Sequence, residues 1–315
     1  MPQVSVVIPT FERMDVLPEV LQGLERQQGA TFEVVVVDDG SGDATAAFLA
    51  GYRGGLPLRV LRRENRGPAA ARNAGVAAAS GELVAFLGDD TVPEPGWLAA
   101  HVEAHAARAA RQPLAIIGYT AWHPRMRLTP FLRYINEHGL QFGYALIDDP
   151  EQVPFNFFYT SNVSLPRELL VREPFDLGFP YAAWEDIELS YRLRQRCGLG
   201  IVYEPRARVS HLHPTDFARF TRRQQKAGES AVVFWRLHPE LGPFLGLSPQ
   251  GPPPLPPRGR QRLREAMVRA LQKLPVETPS LWNEALRHHY IRGLWRGWER
   301  LAPVHAQVQG EARPC

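Results

Sequence analysis

The chain has 315 residues, of which 44% are hydrophobic and 22% are charged, and its formal net charge is +3. This composition is typical of a folded globular protein and excludes a disordered chain. Because no run of about 18 apolar residues occurs, the sequence predicts no membrane-spanning helix.

The N-terminus enters a strand pattern directly, without the charged and apolar regions of a signal peptide. Cysteine occurs only at Cys197 and Cys315, so we expect free thiols in a cytoplasmic protein. Residues 258–315 carry 11 Lys and Arg against 5 acids, whereas the rest of the chain carries 25 against 28. This basic end either faces an anionic substrate or the inner face of an anionic membrane, or it is an ordinary solvated surface.

Short apolar runs alternate with helical patterns over the first 120 residues. The runs lie at residues 4–8, 32–37, 58–61, 83–87 and 114–119. Near-continuous apolar runs are typical of strands buried on both faces, so the alternation predicts a doubly wound α/β sheet. The carboxyl ends of parallel strands meet at one edge of such a sheet, and we expect the ligand site there. No G-x-G-x-x-G opens the first helix, which argues against a dinucleotide-binding enzyme.

The run at residues 83–87 leads directly into Gly88, Asp89 and Asp90. Two adjacent carboxylates repel each other unless a positive group lies beside them. A divalent cation that bridges a diphosphate would satisfy them. The alternative is an acidic loop in which Asp90 caps a following helix.

A helix predicted over residues 97–110 places His101 and His105 four residues apart. That is the spacing of a zinc pair, but the glutamate stands one place later than in the metalloprotease motif, so we favour an ordinary surface helix. Residues 122–154 are poorly periodic and rich in aromatic side chains, which indicates a functional loop. The segment at 184–189, Trp-Glu-Asp-Ile-Glu-Leu, opens an amphipathic helix. Its acids are either stabilised in the first turn by the helix dipole or have a catalytic role.

The C-terminal third is predicted to be helical. A long helix over residues 216–238 is followed by five prolines within residues 252–257 and then by two basic helical stretches. The last stretch, which carries Trp295 and Trp298, either docks on the protein or lies in a membrane interface. We therefore expect four segments: a catalytic domain at 1–215 with halves at about 1–120 and 121–215, a helical segment at 216–247, a Pro-rich linker at 248–259, and a basic helical extension at 260–315.

Five motifs occur in order along the chain. They are Val-Val-Ile-Pro-Thr-Phe-Glu-Arg at 6–13, Val-Asp-Asp-Gly-Ser at 37–41, Ala-Arg-Asn-Ala-Gly at 71–75, Phe-Leu-Gly-Asp-Asp at 86–90, and Trp-Glu-Asp-Ile-Glu-Leu at 184–189. Together they resemble the family 2 glycosyltransferases, over residues 3–215. The resemblance implies a GT-A fold, a Rossmann-like doubly wound mixed sheet, here with a C-terminal helical extension.

The resemblance also implies inverting transfer of a sugar, hexosyl or related, from a nucleotide-sugar, UDP-type favoured, to an acceptor hydroxyl. A divalent metal, Mn²⁺ or Mg²⁺, would neutralise the leaving diphosphate, and one general base would suffice. The acceptor would be a carbohydrate, a lipid-linked sugar or a small molecule, and we expect no nucleic acid partner. The alternatives are a nucleotide-sugar-binding protein without activity and a sugar nucleotidyltransferase, whose Gly-rich basic loop is missing after the first strand.

Motif matching assigns the expected roles. Asp90 and His211 would bind the metal, and Asp186 would be the base, with Glu185 as the alternative. Gly88 departs from relatives that have an acid there. Trp184 and Asn162 would bind the acceptor. The donor-binding residues would be Pro9, Thr10, Phe11, Glu12, Asp39, Arg72 and Asp89.

Overall fold

The computed structural model describes residues 2–110, 113–255, 257–271 and 277–308. Within these ranges the strands are β1 (Val4–Thr10), β2 (Phe32–Asp38), β3 (Leu58–Arg62), β4 (Leu83–Leu87), β5 (Thr91–Pro93), β6 (Leu114–Trp122), β7 (Asn162–Pro166) and β8 (Gly200–His211). The helices are α1 (Leu17–Glu25), α2 (Thr45–Ala50), α3 (Pro68–Ala78), α4 (Trp97–Ala106), α5 (Pro130–Glu137), α6 (Arg167–Arg172), α7 (Glu185–Cys197), α8 (Phe217–Leu237), α9 (Gly242–Leu245), α10 (Arg258–Leu271) and α11 (Pro279–Val308). Cys197 is a free thiol, and Cys315 lies outside the described residues.

The strands form one mixed sheet in the order β3-β2-β1-β4-β7-β6-β8-β5. β1 pairs in parallel with β2 and β4, and β2 pairs in parallel with β3. β7 runs antiparallel to β4 and β6, and β5 runs antiparallel to β8. The predicted α/β fold with a doubly wound mixed sheet is confirmed.

The central strands β1, β2 and β4 are buried on both faces, which explains why they are almost continuously apolar rather than alternating. Along β1, the side chains of Val6 and Ile8 join an apolar cluster with α1 and α4, whereas Val7 joins a second cluster with α3. All three side chains are fully buried. The ends of these central strands, and not their faces, are therefore open to a ligand.

β5 was not predicted from the sequence. It follows Asp90 directly and pairs Thr91 with His211 of β8. The alternative that Asp90 caps a following helix is therefore wrong, because residues 91–93 are extended and the next helix begins only at Trp97.

The described residues divide into two compact units. The first comprises Met1–Arg127, Asn136–Leu177 and Glu185–Pro214, and it contains the sheet. The second comprises Leu128–Ile135, Gly178–Trp184 and the described residues from Thr215 onward. Two segments from the middle of the sequence thus belong to the helical unit.

In the second unit, α8 and α11 pack closely. A Cβ atom on Gly228 would lie 2.9 Å from the Cα of Gly293, so only glycine permits this approach. Among the tryptophans of α11, Trp282 is 2% exposed, and the partly exposed Trp298 lies against Trp235 with ring centroids 5.2 Å apart. Trp295 is also partly exposed, and its Nε1 donates to the carbonyl of Pro253 at 2.9 Å. These contacts favour packing of α11 within the second unit. In the described part of the chain, no helix is both long and apolar enough to cross a bilayer.

A series of buried side-chain hydrogen bonds links α4 to β7. Asn162 Oδ1 lies 3.0 Å from His101 Nε2, and Ser164 Oγ lies 2.9 Å from both His101 Nδ1 and His105 Nε2. All these contacts are satisfied when both imidazoles are neutral, with the Ser164 hydroxyl donating to His101 and accepting from His105. Both Nε2 atoms are therefore used in structural hydrogen bonds, which agrees with the interpretation of α4 as an ordinary helix rather than a zinc site.

This chain of hydrogen bonds predicts acid sensitivity. Burial lowers the pKa of His101 and of His105 to about 4. In the unfolded chain the two imidazoles bind protons near pH 6.5, whereas in the folded chain they do so only near pH 4. The free energy of unfolding should therefore fall as the pH drops from about 6.5 to about 4, by roughly 3 kcal/mol for the fully buried His101 alone. Urea unfolding at about pH 7.5 and about pH 4.5 measures this loss. His101→Gln should lose less stability than the native chain over this interval, and an equal loss in both would contradict the prediction.

Candidate active site

Loops at the ends of β1 and β2 are joined by hydrogen bonds. The backbone N–H of Asp39 donates to the carbonyl of Thr10 at 2.9 Å, and the N–H of Glu12 donates to Ser41 Oγ at 2.9 Å. Glu12 has a φ of 54°, a left-handed conformation uncommon outside glycine. Phe11 stands beside it with 42% of its surface exposed. The structure thus brings four predicted donor-binding residues to one strand edge, while Pro9 remains within β1, opposite Val37.

The carboxylate of Asp39 anchors the loop before α3. It is 4% exposed and accepts from the N–H groups of Gly67 at 2.7 Å and Arg66 at 3.2 Å, and it pairs with Arg63 Nε at 3.2 Å. A carboxylate has about four acceptor positions, so about one remains for the N–H of a nucleobase. The turn hydrogen bond within the Gly-rich loop is made by Asp38, which accepts from Ser41 N at 2.9 Å.

Asp90 lies at the centre of a cluster of nitrogen atoms. Its Oδ2 is 3.4 Å from His211 Nε2 and 3.0 Å from His213 Nδ1, and it also pairs with Arg13 Nη2. Arg13 Nε lies 3.4 Å from Asp89 Oδ1. Burial acts to raise the pKa of Asp90, but His211, His213 and Arg13 hold that pKa well below its usual range. For Asp89, burial and the neighbouring Asp90 raise the pKa to about 6 against the effect of Arg13.

Aromatic rings fix the orientation of His211. Trp122 stacks on its imidazole with centroids 5.5 Å apart, His213 stacks on it at 5.4 Å, and Phe142 meets it edge-on at 5.4 Å. His211 is 5% exposed, and its Nδ1 has no hydrogen-bond partner among the described residues. The pairing of β5 with β8 and this aromatic packing together aim Nε2 at Asp90.

The residues present fit a divalent metal. The candidate ligand atoms of Asp90, His211 and His213 lie within 4.8 Å of one another. One carboxylate and two imidazoles are suitable ligands for first-row divalent ions. A Cβ on Gly88 would lie 3.1 Å from Asp90 Oδ1 and 3.0 Å from Thr91 Oγ1, so the loop has little space for an acid there. His213 offers a ligand atom that can stand in for the missing carboxylate.

The second predicted centre lies at the start of α7. Glu185 is 3% exposed and accepts from Arg72 Nη1 at 2.8 Å, whereas its Oε2 has no hydrogen-bond partner among the described residues. Asp186 Oδ2 lies 3.4 Å from both the N–H and the hydroxyl of Thr160. Burial and the adjacent Glu185 raise the pKa of Asp186 to about 6, against the opposing charge of Arg72.

Residues 160 and 161 connect the two centres. Thr160 contacts Asp186, and the carbonyl of the next residue, Ser161, accepts from Gly88 N at 3.2 Å and lies 3.3 Å from Thr91 Oγ1. The loop that carries Asp89 and Asp90 is therefore one residue away from the group that holds Asp186. Both acidic centres belong to the first unit and lie at the same edge of the sheet.

Asn162 was predicted to bind the acceptor, but its position does not fit that role. The side chain is fully buried. Its Oδ1 accepts from Trp97 Nε1 at 2.8 Å and contacts His101, and its Nδ2 donates to the carbonyl of Ala207 at 2.9 Å. Both the oxygen and the nitrogen of the amide are therefore engaged in hydrogen bonds inside the first unit.

Trp184, also predicted to bind the acceptor, belongs to the second unit. Its Nε1 donates to the carbonyl of Ala227 at 2.9 Å, and its ring packs against Phe234 and Phe244 with centroids 6.1 and 5.8 Å away. These contacts favour the role of a packed structural tryptophan over stacking on a sugar.

Two residues of the site were missed in the sequence. His213 could have been found, because it stands two residues after His211 on extended chain and so points to the same side. Arg13 belongs to the first motif, but no local pattern predicts that it meets Asp89 and Asp90, which lie more than 70 positions away.

Part of the chain matches a known protein family. Residues 5–120 match Glycosyl transferase family 2. The validoxylamine A glucosyltransferase of Streptomyces hygroscopicus subsp. jinggangensis is 33% identical over 226 residues, which cover 61% of this chain and 51% of that protein. The pre-mycofactocin glycosyltransferase of Mycobacterium tuberculosis is 28% identical over 242 residues, covering 75% and 48%. The chain thus spans about half the length of these curated relatives.

Solved structures share the fold. The mannosyltransferase PcManGT from Pyrobaculum calidifontis, in complex with GDP-Man and Mn²⁺, matches with a TM-score of 0.63 and 21% identity over 94% of this chain and 88% of that one. TarS 1–349 of S. aureus in complex with UDP-GlcNAc matches with a TM-score of 0.54 and 15% identity over 93% and 91%. Residues 5–120 therefore match glycosyl transferase family 2, within a chain that has the GT-A fold.

Proposed function

We propose that this chain is an inverting glycosyltransferase that moves a sugar from a nucleotide-diphosphate sugar to an acceptor hydroxyl. The observation that carries the proposal is the pair of acidic centres at one sheet edge, Asp90 with its two histidines and Asp186 beside Thr160. Such a reaction needs a cation at the leaving diphosphate and a base at the attacking hydroxyl. The family match over residues 5–120 supports this assignment.

Asp90, His211 and His213 would hold the metal. When bound, the metal neutralises the charge that develops on the leaving diphosphate. Because two of the three ligands are imidazoles, which suit transition metals better than Mg²⁺, we favour Mn²⁺ over Mg²⁺. The Mn²⁺ bound in the PcManGT complex is consistent with this preference.

Asp186 would act as the base. Its carboxylate would take the proton of the acceptor hydroxyl while the oxygen attacks the anomeric carbon and the nucleoside diphosphate leaves, and a single displacement of this kind inverts the configuration. Glu185 is the weaker candidate, because one of its oxygens is engaged by Arg72 at 2.8 Å. Arg72 and Glu185 would instead hold the start of α7 in place.

The nucleotide would bind at the β1 and β2 loops. Phe11, whose ring is exposed, would stack on a base, and Thr10, Glu12, Asp39 and Asp89 would supply the polar contacts to the nucleotide. We favour a UDP-type donor, with Asp39 accepting from the nucleobase N–H. GDP-Man is bound by PcManGT and UDP-GlcNAc by TarS, so both nucleotide classes belong in any test.

The acceptor would be a carbohydrate, a lipid-linked sugar or a small molecule. The names of the validoxylamine A and pre-mycofactocin glycosyltransferases favour a small-molecule acceptor. One further candidate function, a nucleotide-sugar-binding protein without turnover, is favoured only by Gly88, since the acid of many relatives is missing at that position.

A thermal-shift screen tests the proposal. UDP, GDP and their sugars would be added with Mn²⁺, Mg²⁺ or EDTA. A ligand at 100 times its Kd stabilises a protein by about 2.7 kcal/mol, which is a measurable shift in Tm. We expect a Mn²⁺-dependent shift with one nucleotide class. No shift with any nucleotide would contradict the proposal.

We also propose peripheral contact with an anionic membrane, through α10 rather than through the tryptophans of α11. The outer face of α10 exposes Leu263 by 65% and Met267 by 44%, and Arg260 and Arg262 are exposed beside them. Apolar and basic side chains on one helix face are typical of interfacial helices.

Vesicle sedimentation tests this contact. The native chain should sediment with vesicles that contain phosphatidylglycerol, and the double variant Leu263→Glu, Met267→Glu should not. Val171→Glu, which changes a residue that is 56% exposed in the first unit, is the matched control. If the double variant sediments as the native chain does, α10 is not the contact.

A further inference from the structure

One carboxylate oxygen, Asp90 Oδ2, is shared by three nitrogen-bearing side chains. His211 Nε2 lies 3.4 Å from it, His213 Nδ1 lies 3.0 Å from it, and Arg13 Nη2 forms an ion pair with it. Arg13 Nη2 also lies 3.4 Å from His213 Nδ1. The guanidinium of Arg13 thus approaches two of the three candidate ligand atoms of the metal site.

A guanidinium and a divalent cation cannot both occupy this position. A first-row cation sits about 2.0–2.2 Å from oxygen and nitrogen ligands, so it would need the space between Oδ2 and Nδ1 that Nη2 borders. Two positive groups at this distance would also repel, since the Arg13 and Asp90 side chains are only 20% and 16% exposed, although His213 is 47% exposed. Binding of the cation therefore requires Arg13 to leave Asp90.

We infer that Arg13 is an intramolecular counter-cation that pairs with Asp89 and Asp90 and competes with the divalent metal for Asp90. The guanidinium neutralises two adjacent carboxylates, which otherwise repel each other, and so stabilises the loop before a metal binds. This competition lowers the intrinsic metal affinity of the site. The inference rests on the metal site of the proposed function.

The test is the Mn²⁺ affinity of the full chain without nucleotide, measured by calorimetry and by the electron paramagnetic resonance signal of free Mn²⁺. Arg13→Gln should lower the Kd for Mn²⁺ by about tenfold, because it removes the competing charge. Arg13→Lys keeps that charge and should tighten binding less than Arg13→Gln. Arg125→Gln, which removes an exposed arginine paired with Glu19, should leave the Kd unchanged.

The possible outcomes separate this inference from the proposed function. An Arg13→Gln variant that binds Mn²⁺ no more tightly than the native chain, while Asp90→Asn still abolishes binding, overturns the competition and leaves the metal site intact. Equal tightening in the Gln and Lys variants also overturns it, because a positive charge would then not matter. If neither the native chain nor Arg13→Gln binds Mn²⁺, both the competition and the proposed metal site are overturned. Mn²⁺ binding that persists in Asp90→Asn overturns both as well.

Discussion

Replacing Asp186 with asparagine should lower kcat by about 1,000-fold while the nucleotide-sugar still binds, because the variant cannot take the proton of the acceptor hydroxyl. The comparison with Glu185→Gln separates the two neighbouring acids, since Glu185 is paired with Arg72 and should contribute less to kcat. Asp148→Asn, a change at an exposed position, is the matched control. If Glu185→Gln lost more activity than Asp186→Asn, the two assignments would have to be exchanged.

The pKa of Asp186 predicts how kcat/KM should depend on pH. Burial and Glu185 raise the pKa of Asp186 to about 6, and Arg72 on the facing helix α3 opposes the shift. A base works only when it is deprotonated, so kcat/KM should rise with pH through about 6 and then level off. A profile that is flat between about pH 5 and about pH 8 would contradict this assignment.

Replacing Asp90 with asparagine should raise the Kd for Mn²⁺ by at least about 100-fold, because all other candidate ligands converge on its carboxylate. His213→Gln should weaken binding less, since His211 and Asp90 remain. Calorimetric titration with Mn²⁺ measures both effects, and Asp148→Asn again serves as the control. Unchanged Mn²⁺ affinity in Asp90→Asn would place the cation elsewhere.

The core of the fold could be predicted from the sequence because buried strands leave a strong signal. The apolar runs at residues 4–8, 32–37, 58–61 and 83–87 correspond to β1, β2, β3 and β4. β5 has only three residues and carries no such pattern. Its pairing with β8 depends on contacts between positions more than 115 residues apart, which no local window contains.

The acids of the site could be predicted for the same reason, since strand ends meet at one edge of the sheet. What could not be predicted was how each side chain is used. Asn162 follows a polar pattern typical of a site, yet its amide is occupied by Trp97, His101 and Ala207. No local pattern gives Arg13 a role, yet it pairs with both carboxylates. Such contacts follow only from the packed structure.

The most direct measurement is the release of nucleoside diphosphate from the nucleotide-sugar that stabilises the chain most. Native protein with Mn²⁺ should release it, EDTA should stop the release, and Asp186→Asn should bind the donor without releasing it. Tight, metal-dependent binding with no release by the native chain, in the presence of water and of carbohydrate, lipid-linked and small-molecule acceptors, would contradict the assignment as a transferase. That result would instead identify a nucleotide-sugar-binding protein of the same fold.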